Sequence, residues 1–404
     1  MASIRSIIGL GRRLSWRKPG NCDVLQFLGT TIGALQSLQS EFRVGCMPSV
    51  VEQLNAPVFI RSLCLGRFGR WGYYRTFVEL TGARVVLVWH DTSVEAYQIQ
   101  RRLPVPVWMI QNGVRHDVAP ASGLGLVTLL QRLNAREKPA VSRYFSFGEP
   151  ARALLAPLVD ADFVPVGSFR LNDYATRRKP VARNPGADKR RIGFIVSFPN
   201  YSDVPGGRIA GNGSPFVRVG GHEISYERYY YPEAVILRIL ASVAKAGGHG
   251  LSVIGKRSSR DPIERQYFSE MSGCESIEVV AHEKGHGYEY AEDYEWLITV
   301  DSTLGYEMLA LNHKVAFISN RFRMLGVPTT EMAFAQPSDL PSDGPFWTSA
   351  ITEPAITRFL TAFLQIEESE WEDLRSSIVP RLMRLDPGNQ TLRRLIAAEV
   401  GGVR

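Results

Sequence analysis

The feature that most constrains this chain is the alternation of short apolar, β-branched runs with segments of helical length. This alternation is typical of α/β folds, in which strands of a parallel sheet are connected by covering helices. In the first half the runs predict strands over Asp23–Phe27, Val85–Trp89, Val105–Ile110, Arg143–Phe147 and Phe163–Val166. In the second half they predict strands over Ile192–Ser197, Leu251–Ile254, Ile277–Val280, Leu297–Val300 and Val315–Ile318.

A polar, basic segment separates the two series of strands. Residues 171–191 contain two prolines and no apolar periodicity, which is typical of a linker. We therefore expect an N-terminal Rossmann-like domain over residues 1–170, a second Rossmann-like domain over 192–350, and C-terminal helices over 351–404 that pack across both. Doubly wound sheets bind ligands beyond the carboxyl ends of their strands, so the cleft between the domains is the expected site.

Composition excludes several classes of protein. The 404 residues are 45% hydrophobic and 22% charged, which excludes a disordered chain. No apolar run approaches the roughly 20 residues of a membrane-spanning helix. Four cysteines without a CxxC pair predict neither a disulfide framework nor a thiolate metal site. The N-terminus lacks the pattern of an export signal, so we expect a cytoplasmic protein.

The segment 297–319, LITVDSTLGYEMLALNHKVAFIS, carries the strongest signal for a ligand site. A buried strand is predicted to end at Asp301, and Ser302 and Thr303 open a helix. At such a helix start, free N–H groups and the helix dipole favour an anion, here the donor phosphate. Glu307 follows one turn later and can accept hydrogen bonds from ribose hydroxyls. An ordinary helix cap with a nearby acid would have the same sequence, so both interpretations stay open.

Polar residues also follow the strands predicted in the first half. Gln111 and Asn112 precede Gly113 at one strand end, and their amides can bind the hydroxyls of a sugar or acceptor. Asp91 follows the neighbouring strand, so we expect it to lie near Gln111 and to be a catalytic candidate. Glu149 follows the next strand and is a candidate catalytic acid or base. A plain strand-end turn and a capping acid are the structural alternatives.

Two further groups of candidates lie in the second half. Lys256 and Arg257 follow a predicted strand and can neutralise the phosphate of a nucleotide donor, although solvated surface cations would have the same sequence. The Gly-rich segment 198–231 is typical of a lid or a binding loop. It contains Glu223, one candidate for the carboxylate nucleophile that a retaining transfer needs.

Several of these motifs occur together in one known family. The segments VWHDTSVEAY (88–97), VWMIQNGVRHD (107–117), YPEAVILRIL (231–240) and VDSTLGYEMLALNHKVAFIS (300–319) resemble segments of the bacterial surface-carbohydrate biosynthesis transferases. That family is related to the β-Kdo glycosyltransferases of capsule and O-antigen assembly. The resemblance implies a GT-B-like α/β fold with two Rossmann-like domains facing a central cleft. It also implies a nucleotide-sugar donor, with CMP-Kdo or a similar CMP-ulosonate favoured, and neither metal nor cofactor.

Two motifs match metal sites by sequence alone. His282, Glu283 and His286 fit the HExxH pattern of zinc hydrolases, but two glycines in the segment disfavour the helix that this chemistry needs. A zinc hydrolase stays open as a lesser alternative. Residues 160–162, Asp-Ala-Asp, resemble the metal-binding DxD of other transferases. We interpret this tripeptide as a turn between a helix and a strand.

The positive charge is concentrated near the N-terminus. Residues 1–75 contain ten arginines and lysines against three acids, in a chain of net charge +7. Arg5, Arg12, Arg13 and Arg17 predict reversible contact with an anionic membrane, although a solvated face would have the same composition. Nucleic acid is not an expected partner, because the chain has no zinc finger, RNP-type aromatic motif or long basic run.

Together these features predict a metal-independent glycosyltransferase. It would move a sugar, Kdo or a related ulosonate, from a nucleotide sugar to a saccharide or lipid-linked saccharide of a growing surface polysaccharide. We expect it in the cytoplasm, with peripheral contact at the inner face of the cytoplasmic membrane. A nucleotide-sugar 2-epimerase of the same architecture is the main alternative, and epimerisation would need no acceptor. A non-catalytic binding partner in polysaccharide assembly is a third possibility.

Overall fold

Two parallel six-stranded sheets organise the protein, which we describe from a computed structural model. The structure describes residues 14–89, 91–113, 118–120, 126–178, 190–196, 216–219, 222–255, 268–270, 273, 278–280, 287–326 and 341–401. Among the helices in these ranges, none combines the length and the apolar character that crossing a membrane requires.

The first sheet lies in the first half of the chain. In chain order the strands of this half are β1 (Leu14–Ser15), β2 (Val24–Phe27), β3 (Val44–Met47), β4 (Leu54–Asn55), β5 (Val85–Val88), β6 (Val107–Ile110), β7 (Val118–Pro120), β8 (Ala140–Ser146) and β9 (Asp160–Pro165). Six of them form the sheet in the order β3-β2-β5-β6-β8-β9, with every neighbouring pair parallel. The central strands β5 and β6 are buried along their whole length, because both faces of the sheet are covered.

Helices cover both faces of the first sheet. They are α1 (Ala56–Cys64), α2 (Gly69–Thr81), α3 (Val94–Ile99), α4 (Leu126–Asn134), α5 (Glu149–Leu155) and α6 (Phe169–Arg177), with short 3-10 helices at Gly33–Ser40 and Gln100–Arg102. Local chemistry sets their ends. The side chain of Asn55 caps α1 by accepting the N–H of Val58, and α2 ends at Gly82 with a φ of 65°.

The second sheet repeats the arrangement. Its half contains β10 (Arg191–Ile195), β11 (Phe216–Val219), β12 (His222–Ser225), β13 (Gly250–Ile254), β14 (Glu278–Val280), β15 (Trp296–Thr299), β16 (Lys314–Ile318) and β17 (Trp347–Thr348). The sheet has the order β14-β13-β10-β15-β16-β17 and is parallel throughout. Its helices are α7 (Tyr226–Gly247), α8 (Tyr288–Ala291), α9 (Thr303–Ala310), α10 (Arg321–Leu325), α11 (Glu353–Leu364), α12 (Glu368–Leu382) and α13 (Gln390–Gly401), with a 3-10 turn at Pro387–Asn389.

The C-terminal helix α13 returns to the first half. Leu392 and Ile396 are buried in the same apolar cluster as Val85 of the first sheet. Arg393 forms an ion pair with Glu41, with its Nη1 2.7 Å from Oε1. The prediction of a GT-B-like fold with C-terminal helices that cross back is therefore confirmed.

Two glycines allow the C-terminal chain to cross. A Cβ at Gly148 would lie 2.4 Å from the carbonyl oxygen of Arg381, and a Cβ at Gly167 would lie 1.9 Å from that of Arg384. Gly167 also has a φ of 82°, a conformation that other residues rarely adopt. The N–H of Arg384 donates to the carbonyl of Phe147 at 2.8 Å. The crossing chain therefore contacts the ends of β8 and β9 through the backbone.

Helix α6 occupies the first part of the segment predicted to be a linker. The side chain of Ser168 caps it by accepting the N–H of Leu171 at 3.4 Å. Leu171 and Tyr174 are buried in the apolar cluster of the second half. Only a few apolar residues in a basic segment make this contact, which is why the composition indicated a linker.

Residues 160–162 form the start of β9, so the interpretation as a turn was wrong. Asp160 pairs with Ala140 and Asp162 with Arg143. The two acids are exposed on an edge strand, while the residues between and after them pack inward. The Gly-rich segment 198–231 also contains regular structure. β11 and β12 form an antiparallel hairpin, and β11 pairs with β7 of the first half.

Candidate active site

A cavity of about 280 Å³ lies between the two sheets. Its walls are Trp89, Asn112, Ser168 and Arg170 from the first half, and Ile195, Val196, Ile254, Gly255, Gly287, Tyr288, Ser302, Thr303, Leu304 and Glu307 from the second. Trp89 directly follows β5, and Gly255 directly follows β13. The cavity therefore lies at the carboxyl ends of strands from both sheets, where doubly wound folds bind ligands.

Helix α9 is fixed against the second sheet by Thr299 and Gly305. The Thr299 hydroxyl donates to the carbonyl of Ile195 at 2.9 Å and accepts the N–H of Ser302 at 3.2 Å. A Cβ at Gly305 would lie 2.6 Å from Thr299 Cγ2 and 3.2 Å from Phe317 Cε1, so only glycine permits this approach. The start of α9 is consequently held at the cavity wall.

The first residues of α9 present hydroxyls at the positive end of the helix dipole. Ser302 occupies the N-cap position, but its side chain makes no capping hydrogen bond. The first turn contains no acid that would compete for the dipole. Ser302 and Thr303 both line the cavity. An anion in the cavity would therefore meet two hydroxyls and the N-terminus of a helix.

Glu307 lies one turn further along α9 and is 8% exposed. Ser168 donates its hydroxyl hydrogen to Glu307 Oε1, and the Tyr288 hydroxyl also donates to this carboxyl. Burial raises the pKa of Glu307 from 4.5 to about 7, and the two hydroxyls and Arg170 oppose this rise. A carboxyl with such a pKa can take up or release a proton near neutral pH.

A cation and an aromatic ring face the cavity from the first half. The Arg170 guanidinium lies over the Trp89 ring, with Cζ 5.2 Å from the ring centroid. Arg170 is exposed, whereas Trp89 is buried. Stacking leaves the guanidinium N–H groups able to bind an anion.

The two halves contact each other beside the cavity. The rings of Tyr174 on α6 and Tyr288 on α8 have centroids 4.8 Å apart. Arg178, just after α6, forms an ion pair with the buried Glu292, just after α8. These contacts and the bond between Ser168 and Glu307 hold α6 against the second half.

Asp91 and Gln111 follow the adjacent strands β5 and β6, but their side chains are buried and are not among the residues that line the cavity. The Tyr144 hydroxyl donates to Asp91 Oδ2 at 3.0 Å, and Asp91 is completely buried. The Gln111 amide donates to the carbonyl of Gly113 at 2.9 Å and accepts the N–H of Phe147 at 2.8 Å. Both side chains therefore hold strand ends in place.

Glu149 and Glu223 are also absent from the described wall of the cavity. Glu149 is an exposed residue at the start of α5, beside the crossing C-terminal chain at Gly148. Glu223 is exposed on the hairpin strand β12. Lys256 and Arg257 lie outside the described residues, immediately after Gly255 of the cavity wall.

The remaining candidates fall largely outside the described ranges. His282, Glu283 and His286 lie there, as do three of the four N-terminal arginines, and Arg17 is described and exposed. Within the ranges that the structure does describe, no group of three or more His, Cys, Asp and Glu is arranged to hold a metal ion.

Asp301, two residues after β15, belongs to a buried ion cluster. Arg321 Nε lies 2.9 Å from Asp301 Oδ2, and its Nη2 lies 2.7 Å from Glu233 Oε1. The guanidinium also lies over the Tyr229 ring, with Cζ 4.4 Å from its centroid. Burial lowers the pKa of Arg321, but the neighbouring negative charges raise it above its ordinary value. The cluster ties β15, α7 and α10 together and thereby positions the start of α9.

The sequence predicted four of the site residues that line the cavity and did not predict four other polar or aromatic residues of its wall. Asn112, Ser302, Thr303 and Glu307 were expected at strand ends and line the wall. The missed residues are Trp89, Ser168, Arg170 and Tyr288. Trp89 could have been found, since it ends a predicted strand. The other three reach the cavity only because the halves dock.

Two Rossmann-like domains facing a cleft define the GT-B-like class, and solved structures share this fold. S. aureus MnaA in complex with UDP has a TM-score of 0.51 and 11% identity, covering 94% of this chain and 96% of that one. The wall teichoic acid polymerase TagF has a TM-score of 0.51 and 11% identity, covering 94% and 90%. A "putative UDP-N-acetylglucosamine 2-epimerase" from Listeria monocytogenes has a TM-score of 0.54 and 10% identity, covering 95% and 98%. Identities this low show a common fold.

Family membership comes from the sequence match. Residues 108–400 match the family described as "putative O-antigen biosynthesis protein". Because the match covers more than half of the chain, the protein belongs to this O-antigen biosynthesis family. The predicted assignment to surface-carbohydrate biosynthesis is thereby confirmed. No curated protein matches the chain.

Proposed function

We propose that this protein is a glycosyltransferase of surface-polysaccharide assembly, with its donor nucleotide in the cavity between the two sheets. The observation that carries the proposal is the wall formed by Ser302, Thr303 and Glu307. It combines a helix N-terminus, two hydroxyls and a carboxyl of raised pKa at one end of the parallel sheet. Membership of an O-antigen biosynthesis family supports a sugar substrate.

The geometry supports a division of labour at the cavity. The donor phosphate would bind at the start of α9, where Ser302 and Thr303 can donate hydrogen bonds. Glu307 would accept hydrogen bonds from ribose hydroxyls when ionised, since a carboxylate is an acceptor only. Asn112, from the opposite wall, would bind hydroxyls of the sugar or acceptor.

We propose a CMP-activated ulosonate, Kdo or a relative, as the donor. Such a donor carries two separate negative groups, one phosphate and one sugar carboxylate. The described wall offers two separate anion-binding elements, the start of α9 and the Arg170 guanidinium. The resemblance to β-Kdo transferases led to the same choice. The acceptor would be a saccharide, or a lipid-linked saccharide at the inner face of the cytoplasmic membrane.

Nucleotide binding tests the donor site directly. CMP, UDP, GDP and ADP should be compared by thermal shift, because a ligand that binds only the native state raises the melting temperature. CMP should give the largest rise. Thr303→Val should remove the rise, while Thr352→Val should not, since Thr352 begins α11 on a surface away from the cavity. If the nucleotide raises the melting temperature of Thr303→Val and Thr352→Val equally, the donor site at α9 is contradicted.

The 2-epimerase alternative keeps support from the fold shared with the Listeria structure. It differs in needing no acceptor. Incubation with UDP-N-acetylglucosamine alone, followed by NMR of the nucleotide sugar, separates the two functions. A new nucleotide-sugar epimer would establish the epimerase, whereas nucleotide release that depends on an added saccharide acceptor would establish the transferase.

A further inference from the structure

Helix α1 and the turn after it expose an unusual number of large apolar side chains. Phe59, Ile60 and Leu63 share the outer face of the helix, and Leu65 and Phe68 continue it; Ile60 is 51% and Phe68 76% exposed. We call these five residues the α1 surface. Soluble proteins rarely leave apolar patches of this kind uncovered unless the patch binds something.

The inner face of α1 already has its packing partners. Val58 and Ser62 are buried, and α1 packs against α2 in the core of the first half. The outer apolar residues therefore add nothing to the core that the structure describes. Helix α1 thus has one side that is packed against the protein and a second, apolar side that is exposed.

Exposed cations lie beside the α1 surface, whereas Arg67 and Arg70, next to Phe68, are paired with Glu79 and Glu95. Arg61 lies on α1 itself, and Arg17 and Lys18 lie next to its start, because Asn55 Nδ2 donates to the Arg17 carbonyl at 2.8 Å. All three cations are exposed, and none forms an ion pair with another described residue. Trp16, 70% exposed, precedes them.

The pairing of β1 with β4 extends this arrangement. Leu14 lies opposite Leu54 and Ser15 opposite Asn55, so the residues that follow β1, Trp16 to Lys18, leave the strand beside the start of α1.

We propose that the α1 surface docks on an anionic lipid bilayer. Its apolar side chains would enter the boundary between headgroups and acyl chains, and Arg17, Lys18 and Arg61 would contact headgroup phosphates. A bilayer fits better than a protein partner because the apolar residues stand on a convex helix and its turn, and because Arg17, Lys18 and Arg61 beside them form no ion pair with another described residue. The docking goes beyond the proposed transfer reaction and does not depend on it.

Cosedimentation of the full-length protein with vesicles tests this surface. One set contains phosphatidylcholine alone, and the other contains two parts phosphatidylcholine to one part phosphatidylglycerol. Binding should be confined to the anionic set and should decrease with added salt. Phe59→Asp and Phe68→Asp should each weaken vesicle binding about tenfold or more. The free energy gained when one Phe side chain leaves water corresponds to at least this change in affinity. Arg61→Gln should weaken binding and reduce its dependence on salt.

Ile351→Asp is the matched control, because Ile351 is an exposed apolar residue before α11, on the other half. It should bind like the unaltered protein. The altered side chains are exposed, so melting temperatures and the nucleotide-induced shift should stay unchanged in all variants. Equal binding of the two vesicle sets, or full binding by Phe59→Asp and Phe68→Asp, would overturn the proposal. A dimer that Phe59→Asp dissociates, without vesicle binding, would identify a second copy as the partner and also overturn it.

Discussion

Ser168 donates its hydroxyl hydrogen to Glu307, which lies 139 positions later in the chain. The same oxygen accepts the N–H of Leu171 and so caps α6. One serine therefore connects the helix that leaves the first half to the carboxyl at the base of the cavity. The bond joins residues of different halves, and because it stabilises the ionised form of Glu307 it also lowers the pKa of that carboxyl.

The raised pKa of Glu307 predicts a pH-dependent stability. The pKa is about 7 in the folded protein and 4.5 ordinarily, so the unfolded chain releases the proton first as pH rises. The contribution of Glu307 to the free energy of unfolding is therefore complete below pH 4.5 and is lost as the pH rises through 7. The free energy of unfolding falls by on the order of 3 kcal/mol across this range. Glu307→Gln lacks this titration. It should match the unaltered protein near pH 5 and exceed it near pH 8 in urea unfolding. If the free energies of unfolding of Glu307→Gln and the unaltered protein change in parallel with pH, the raised pKa of Glu307 is contradicted.

Ser168→Ala separates the capping role from the role at the carboxyl. Loss of the cap should cost about 1 kcal/mol. Because the Ser168 hydrogen bond lowers the pKa of Glu307, its removal should also move the pH midpoint of nucleotide binding upward. Ser225→Ala is the control, since Ser225 caps α7 by accepting the N–H of Arg228 at 3.3 Å. It should lose similar stability with no shift in the midpoint, and identical midpoints in both variants would refute the coupling.

Gly305→Ala should destabilise the protein by about 1–3 kcal/mol, because the new methyl group would overlap Thr299 between α9 and the sheet. The displaced helix should also bind nucleotide more weakly. Gly401→Ala provides the comparison, since a Cβ at Gly401, at the end of α13, meets no atom within 4 Å. Thermal unfolding and calorimetric titration measure both effects. A Gly305→Ala protein of ordinary stability would show that α9 is less tightly held than the structure indicates.

Arg321→Met should cost about 3–5 kcal/mol, because it leaves the carboxylates of Asp301 and Glu233 buried without their cation. Arg375→Met, which removes the exposed pair with Glu372, should cost at most about 1 kcal/mol. Urea unfolding of the two variants gives the comparison. Similar losses would mean that the Arg321 cluster is solvated in solution.

The apolar runs were enough to predict ten of the twelve sheet strands, because a strand covered on two faces is apolar along its length, but they did not reveal the edge strands β3 and β17. They located β5, β6, β15 and β16 to within two residues of their observed ends. The end of β15 also placed the start of α9, with Ser302, Thr303 and Glu307, at the carboxyl edge of the second sheet. The position of a strand end does not determine the direction of the side chain that follows it. Asp91 and Gln111 were expected to face the cleft, but both side chains form hydrogen bonds with buried groups of the first half.

Local sequence patterns could not predict the contacts between the two halves. Ser168, Arg170 and Tyr288 meet the site through docking of α6 on α8, and only three-dimensional structure brings such distant positions together. The helix α6 at the start of the predicted linker gave no pattern in the sequence for a related reason. Leu171 and Tyr174 are too few to produce a periodic signal, yet the second half buries both.

The passage of the C-terminal chain beneath Gly148 and Gly167 has a consequence for protein engineering. A fragment that stops before α13 would leave the first sheet without Leu392 and Ile396 on one face. The first half is thus a discontinuous unit. Any chimera that exchanges it between relatives must carry two separate stretches of coding sequence, because a single crossover point would pair the first sheet with a foreign C-terminal helix.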